Sequence, residues 1–147
     1  MQIRIVQPKT ERQIQDYYDL RWRVLRSPHG QPRGSEKDDL EELSIHLIAY
    51  YDKDIPAAAG RAHFNSAREA QVRFMAVDPL YQNLGIGTSL LSGLEKKVRT
   101  RGAEYIILNS RGSAIGFYEK NGYRTIGEAG TLFGSINHFI MRKDLIF

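Results

Sequence analysis

Isoleucine and valine alternate with polar residues in MQIRIV, the period-two pattern of a short half-buried strand. TERQ follows with Thr10 as N-cap and Gln13 reaching back, a capping box, and Ile14, Tyr17, Tyr18, Trp22 and Leu25 then recur at helical spacing. This aromatic stripe is expected to pack into the core. Residues 27–43, SPHGQPRGSEKDDLEEL, hold two prolines and two glycines and then an acidic cluster, and read as a loop. SIHLIAYY and AAAGRAHFN predict two strands joined around residues 52–56, a hairpin. After the turn SARE, AQVRFMAV predicts a third strand, closed by Asp78 and Pro79. From residue 87 to 101, Leu90, Leu91, Leu94 and Val98 form one helical face, stopped by a basic last turn and Gly102.

EYIIL is a short continuous apolar run suited to a central, doubly buried strand. SAIGFYEKNGY predicts a short helix ended by Asn121 and Gly122, and RTIGE and INHFIMRK close the chain as strands. The predicted order is strand, helix, three strands, helix, strand, helix, two strands. That is an α/β fold with a mixed sheet flanked by helices, antiparallel early and parallel around the two late helices.

Composition narrows the class. The 147 residues suit one domain, 1–147, with 41% hydrophobic and 26% charged residues, ordinary values for a globular protein. No run approaches a transmembrane span, and the start lacks the apolar h-region of a signal peptide. Cysteine is absent, which removes disulfides, thiolate metal sites and a cysteine nucleophile. The expected location is cytoplasmic, with no membrane partner. The net charge of +4 and pI near 9.4 raise the question of an anionic partner. The basic residues are scattered, with no aromatic and basic interleaving, so a small anionic ligand is expected and no nucleic acid.

Candidate chemistry begins at QNLGIGTSLL, residues 82–91, where Gly85 and Gly87 stand at the start of a helix that glycine disfavours. A strand feeding a glycine turn into a helix N-terminus leaves amides pointing outward, with a dipole equivalent to about half a positive charge. Such a turn can hold a phosphate or pyrophosphate. No GxxxxGK[ST] occurs, and Leu90 stands where a dinucleotide fingerprint needs its third glycine. The same glycines would also serve tight packing of strand on helix, and on this stretch alone the two readings stay open.

MAVDPLYQNLGIGTSLL resembles motif A of the GNAT superfamily, the acetyl-CoA-dependent N-acetyltransferases: an apolar, Ala, Val strand end and then a Q/R-x-x-G-x-G/A turn into a long helix. NSRGSAIGFYEKNGYRTIGE resembles the family's motif B, and the resemblance runs from about residue 70 to residue 128. It implies a single-domain GNAT-like fold whose sheet splays at the cofactor. The main chain of Met75, Ala76 and Val77 would pair with the pantetheine arm of acetyl-CoA, and the amides of Gln82, Asn83, Leu84, Gly85, Ile86, Gly87 and Thr88 would hold its pyrophosphate. Asn109 would hydrogen-bond the cofactor arm, with a strand-end cap as its other reading. Ser113, Ile115 and Phe117 would flank the arm. Tyr118 matches the tyrosine placed to protonate the departing thiolate, and the N–H of Val77 would polarise the thioester oxygen. Transfer to an amine acceptor by direct attack, without a metal, is the implied reaction, and family members are often homodimers.

The general base departs from the pattern. Histone-type members carry a glutamate four residues before the apolar, Ala, Val triplet, and Gln71 stands there. His46, His63, His138, Glu36 and Asp38 remain, and His138 is favoured because the last strand borders the acceptor cleft in this fold. Arg73 alternates with Gln71 and Met75, and is expected to pair with the acidic loop rather than with substrate. The acidic cluster of residues 27–43 reads as a solvated loop face, or as a lure for an amine. The missing glutamate also motivates a different class of function, an acyl-CoA-binding sensor without catalysis.

Overall fold

The computed structural model describes residues 2–134 and 136–145. Its elements are β1 (Ile3–Val6), α1 (Glu11–Leu25), β2 (Ile45–Tyr51), β3 (Ile55–Phe64), β4 (Glu69–Val77), α2 (Ile86–Thr100), β5 (Tyr105–Arg111), α3 (Ile115–Lys120), β6 (Arg124–Leu132) and β7 (Ile136–Asp144). The expected order of strands and helices is the observed one. All strands join one seven-stranded sheet in the order β1-β2-β3-β4-β5-β7-β6. Among the described residues only β4 and β5 pair in parallel, across α2; α3 carries the chain from β5 to β6, but β7 inserts antiparallel between them.

The two faces of the sheet hold different cores. Alternate residues of β2 divide between them: Ile45, Leu47 and Ala49 pack with Leu90, Leu91, Leu94 and Val98 of α2, while Ile48 and Tyr50 pack with Tyr17 and Leu20 of α1. The Thr10 and Gln13 capping box forms as the sequence predicts. The stripe expected on α1 is only partly core. Tyr17 is buried, but Ile14 is 42% exposed, and Trp22 donates its indole N–H to the Gln31 carbonyl (3.1 Å), pinning the following loop. Arg21 takes the buried position beside Leu20 instead.

A bulge in β4 sets the geometry of everything beyond it. Ala59 lies opposite Ala76 and Arg61 opposite Arg73, so Phe74 and Met75 together face Gly60 alone. Phe74 adopts φ +57, a left-handed conformation rare for a bulky residue. The bulge ends the alternation expected for this strand: Phe74 turns its ring to Arg21 of α1, while Met75 packs into the α2 core rather than beside Arg73. Pairing of β4 with β5 runs from Glu69 opposite Tyr105 to Val72 opposite Leu108 and stops there, although both strands continue. From that rung the sheet is splayed, as the family resemblance implied.

Gly60 is the partner the bulge requires. A Cβ at this position would lie 2.6 Å from the Met75 Sδ and 2.7 Å from the Leu90 Cδ2. Gly60→Ala is therefore expected to cost about 1–3 kcal/mol in urea unfolding through overpacking. A variant as stable as the parent would show that the close approach of β3, Met75 and α2 is not required.

Candidate active site

The splayed edge of β4 carries free main-chain groups. Asp78 donates its N–H to the Ala57 carbonyl (2.8 Å), so ladder alternation turns the groups of Ala76 toward β3 and those of Val77 toward the open side. Met75, two residues back, shares that orientation. Of the expected added-strand triplet, Met75 and Val77 thus turn main-chain groups toward the splay, and Ala76 turns its own toward β3. The Val77 carbonyl meets the Gln82 side-chain amide at 3.4 Å.

Gly85 and Gly87 have different surroundings. Asn83 (φ +64) and Gly85 (φ +80) are both left-handed, and Gly85 is the N-cap of α2 with open space where a Cβ would be. The first helical bond is Ser89 N–H to the Gly85 carbonyl, and no side chain caps the helix, so the amides of Ile86, Gly87 and Thr88 are its open donors. Gly87 serves packing instead: its Cβ would meet the Val77 Cγ2 at 3.1 Å and the Phe117 ring at 3.2 Å. Gln82, Asn83, Leu84, Gly85 and Thr88 are exposed, forming the outer rim of this turn.

Between the splayed strands lies a cavity of about 250 Å³, bounded by the end of α1, the start of α3 and the β6 to β7 hairpin. Tyr118 and Asn109 line it; Phe117 and Ser113 do not, although Ala114 does. Phe117 packs on α2 at Gly87 and edge-on against Tyr118. Asn109 sits inside β5, which continues to Arg111, so it is no strand-end cap. The Tyr118 residue is 7% exposed, and its hydroxyl has no hydrogen-bond partner among the described residues. Burial raises its pKa, opposed by the Arg111 charge, so the phenol stays protonated. Neighbouring Tyr123 is different: its hydroxyl donates to Glu95 (2.8 Å), which also pairs with Lys143.

The base candidates separate clearly. His138 lines the cavity, and its Nδ1 must donate to the Ile136 carbonyl (3.0 Å), leaving Nε2 as an acceptor in the neutral ring. His46 is held between the Tyr17 hydroxyl and the Glu41 carbonyl (2.7 Å each), and burial lowers its pKa. His63 is bound to Arg61 and Asn65, with a pKa lowered by burial and by Arg61. The Asn65 side chain also donates to the side-chain Oε1 of Gln71 (3.0 Å). Glu36 is buried, accepting the Gly34 amide.

Asp38 and Glu41 are neither a solvated face nor a lure for an amine. Asp38 pairs with Arg61 (2.5 Å) and Arg73 (2.6 Å), and Glu41 with Arg21 (2.8 Å) and Arg61 (2.6 Å). The loop thus folds inward onto cations that periodicity assigned to no core, and Arg73 pairs with it as expected. Arg21 and Arg61 are fully buried, and the Nε of each lacks a partner among the described residues. No group of three or more His, Asp or Glu among the described residues is arranged to hold a metal. No described helix is long and apolar enough to cross a membrane.

Residues 14–123 match the acetyltransferase (GNAT) family, and the chain belongs to it. It is 32% identical over 136 residues to the uncharacterized N-acetyltransferase YjcF of Bacillus subtilis (strain 168), covering 92% of this chain and 96% of that protein. Its fold is similar to that of an aminoglycoside 6'-N-acetyltransferase solved with coenzyme A, with TM-score 0.81, 20% identity, and coverage of 100% of this chain and 98% of the other. A GNAT family acetyltransferase from Elizabethkingia anophelis with acetyl-CoA bound superposes at TM-score 0.78 and 18% identity, covering 97% and 98%.

The ion-pair cluster makes stability acid-sensitive. The hydrogen bond from Arg61 holds the Asp38 carboxyl far below the usual carboxylate range. Burial pushes Glu41 up, but Arg21, the Asp38 amide and Arg61 outweigh it and hold it down. Depressed folded pKa values contribute stability above the unfolded value of about 4 that is lost as pH falls below it. Urea unfolding at pH 7, 5, 4 and 3 is expected to show this loss, with a shallower acid slope in Asp38→Asn. An identical slope in that variant would contradict the pairing.

Proposed function

We propose that the protein is an acetyl-CoA-dependent N-acetyltransferase acting on an amine by direct attack. The observation that carries this is the unpartnered hydroxyl of Tyr118, kept protonated at the floor of the cavity where the sheet splays. The residues present fit acetyl-CoA: two outward main-chain positions on β4 and an uncapped row of amides on α2 suit an amide-bearing arm and a pyrophosphate. When bound, acetyl-CoA supplies the acetyl group as a thioester.

This chain's groups then have separable tasks. The main chain of Met75 and the Val77 carbonyl hold the arm, and the Val77 N–H stabilises the developing oxyanion. Amides from Gln82 to Thr88 bind the phosphates, and Asn109, with no side-chain partner among the described residues, hydrogen-bonds the arm. The acceptor nitrogen attacks the carbonyl carbon, and His138 Nε2 takes the proton that nitrogen sheds. As the carbon–sulfur bond breaks, the Tyr118 hydroxyl gives its proton to the sulfur.

Tyr118→Phe removes only the hydroxyl. In a thiol-release assay with acetyl-CoA and a panel of amines, kcat is expected to fall by about a hundredfold or more while CoA affinity holds. An undiminished kcat would take the acid role from Tyr118. A parent protein that binds CoA but releases no thiol with any amine would favour the sensor reading instead.

A further inference from the structure

The acceptor side of the cavity has a charge the reaction does not explain. Arg26, Arg73 and Arg111 line it, and no aspartate or glutamate does among the described residues. Arg73 is neutralised by Asp38 (2.6 Å). Arg26 and Arg111 are not: neither forms an ion pair with a carboxylate among the described residues. Arg26, in the turn that ends α1, uses its Nε on the Ser35 carbonyl (2.9 Å) and is steadied over the rings of Phe74 and Phe133, at 5.4 and 5.5 Å. The remaining guanidinium nitrogens have no described partner. The Glu36 carboxylate acts on it electrostatically, but its Oε1 accepts the Gly34 amide (2.7 Å). Burial and the charges of Arg73 and Arg21 lower the pKa of Arg26, the mark of a crowded cation without a counter-ion. Arg111 stands opposite His138 across the β5 to β7 ladder, and its charge reaches the Tyr118 phenol.

We propose that the acceptor is a small amine that also carries an anionic group, a carboxylate or a phosphate, held by Arg26 and Arg111. This rests on the transferase reading above. The size of the cavity agrees, since about 250 Å³ falls below the range of drug-sized sites. The charge also acts on the nucleophile. Cations around an amine disfavour its protonated form, so the acceptor reaches the thioester uncharged although Gln71 offers no base. A polyamine or an aminoglycoside, with several ammonium groups, is repelled by the same field.

Matched acceptors test this: L-alanine against L-alaninamide, O-phosphoethanolamine against ethanolamine, with spermidine as the polycation. The account expects kcat/KM at least tenfold higher for an anionic member than for its uncharged match, and the arms tell carboxylate from phosphate. In Arg111→Gln, an exposed position that should not disturb folding, and in Arg26→Gln, that ratio should fall toward one, chiefly through KM, with CoA affinity kept. Faster transfer to spermidine or to the uncharged members would overturn the inference while leaving the transferase reading intact. Loss of CoA affinity in both variants would overturn it too, by assigning the arginines to the cofactor's phosphates. Calorimetry with N-acetyl-L-alanine and its amide reads the same preference without turnover. Tighter binding of the acid, lost in the variants, supports the inference, and equal binding overturns it even if no amine is acetylated.

Discussion

The site depends on one backbone irregularity, the left-handed Phe74 in the middle of β4. That conformation costs a bulky L-residue on the order of 1–3 kcal/mol, so something must hold it. Three ion-paired guanidiniums do, with Arg21, Arg73 and Arg61 at 4.0, 4.6 and 5.0 Å from the ring centroid. Cations over an aromatic face are each worth about 0.5–2 kcal/mol, and more where water is excluded. The cations in turn are held by Glu41 and Asp38, which arrive on the loop after α1. A charge cluster of this kind adds little net stability over an apolar core, because desolvation offsets much of the attraction. Its consequence here is geometric.

With Phe74 turned to α1 and Met75 to α2, β4 leaves its ladder with β5 after Val72. The opening exposes the main chain at Val77, brings Tyr118 from α3 to the floor of the gap, and borders it with Arg26 and Arg111. Main-chain donors gather on the α2 side, and side-chain charge on the side of the α1 loop and the β6 to β7 hairpin. A cofactor rich in amides and phosphates suits the first arrangement, and a small charged amine suits the second. On the proposed reading, the two substrates would meet at the splay from different chemical surroundings.

The element order was legible because it rests on local periodicity: the leucines of α2, the capping box at Thr10 and the apolar run of β5 each carry their own signal. The bulge was not legible, since AQVRFMAV alternates well enough to read as a plain strand and nothing local marks Phe74. Missing it placed Met75 on the face of Arg73 rather than in the α2 core. The burial of Arg21 and Arg61 was equally hidden, because their partners lie on a distant loop whose acidic run looked solvated. β6 extends well past RTIGE because it is almost wholly exposed and so has no apolar period to read. Tyr118, Asn109 and His138, singled out in the sequence, all line the cavity. Arg26 and Arg111 were not singled out, because only the splay makes neighbours of the end of α1 and the end of β5.

The central claim is that the bulge at Phe74 presents a main-chain edge and an amide row as one continuous docking surface for acetyl-CoA. Backbone amide shifts of the ¹⁵N-labelled protein, recorded while acetyl-CoA is titrated in, read that surface directly. The account predicts the largest perturbations at Met75, Val77, Gly85, Ile86, Gly87 and Thr88, with Ala76 less affected than its neighbours and β1 and β2 unmoved. Perturbations centred on β1 and β2, with the β4 edge and the α2 N-terminus silent, would contradict it.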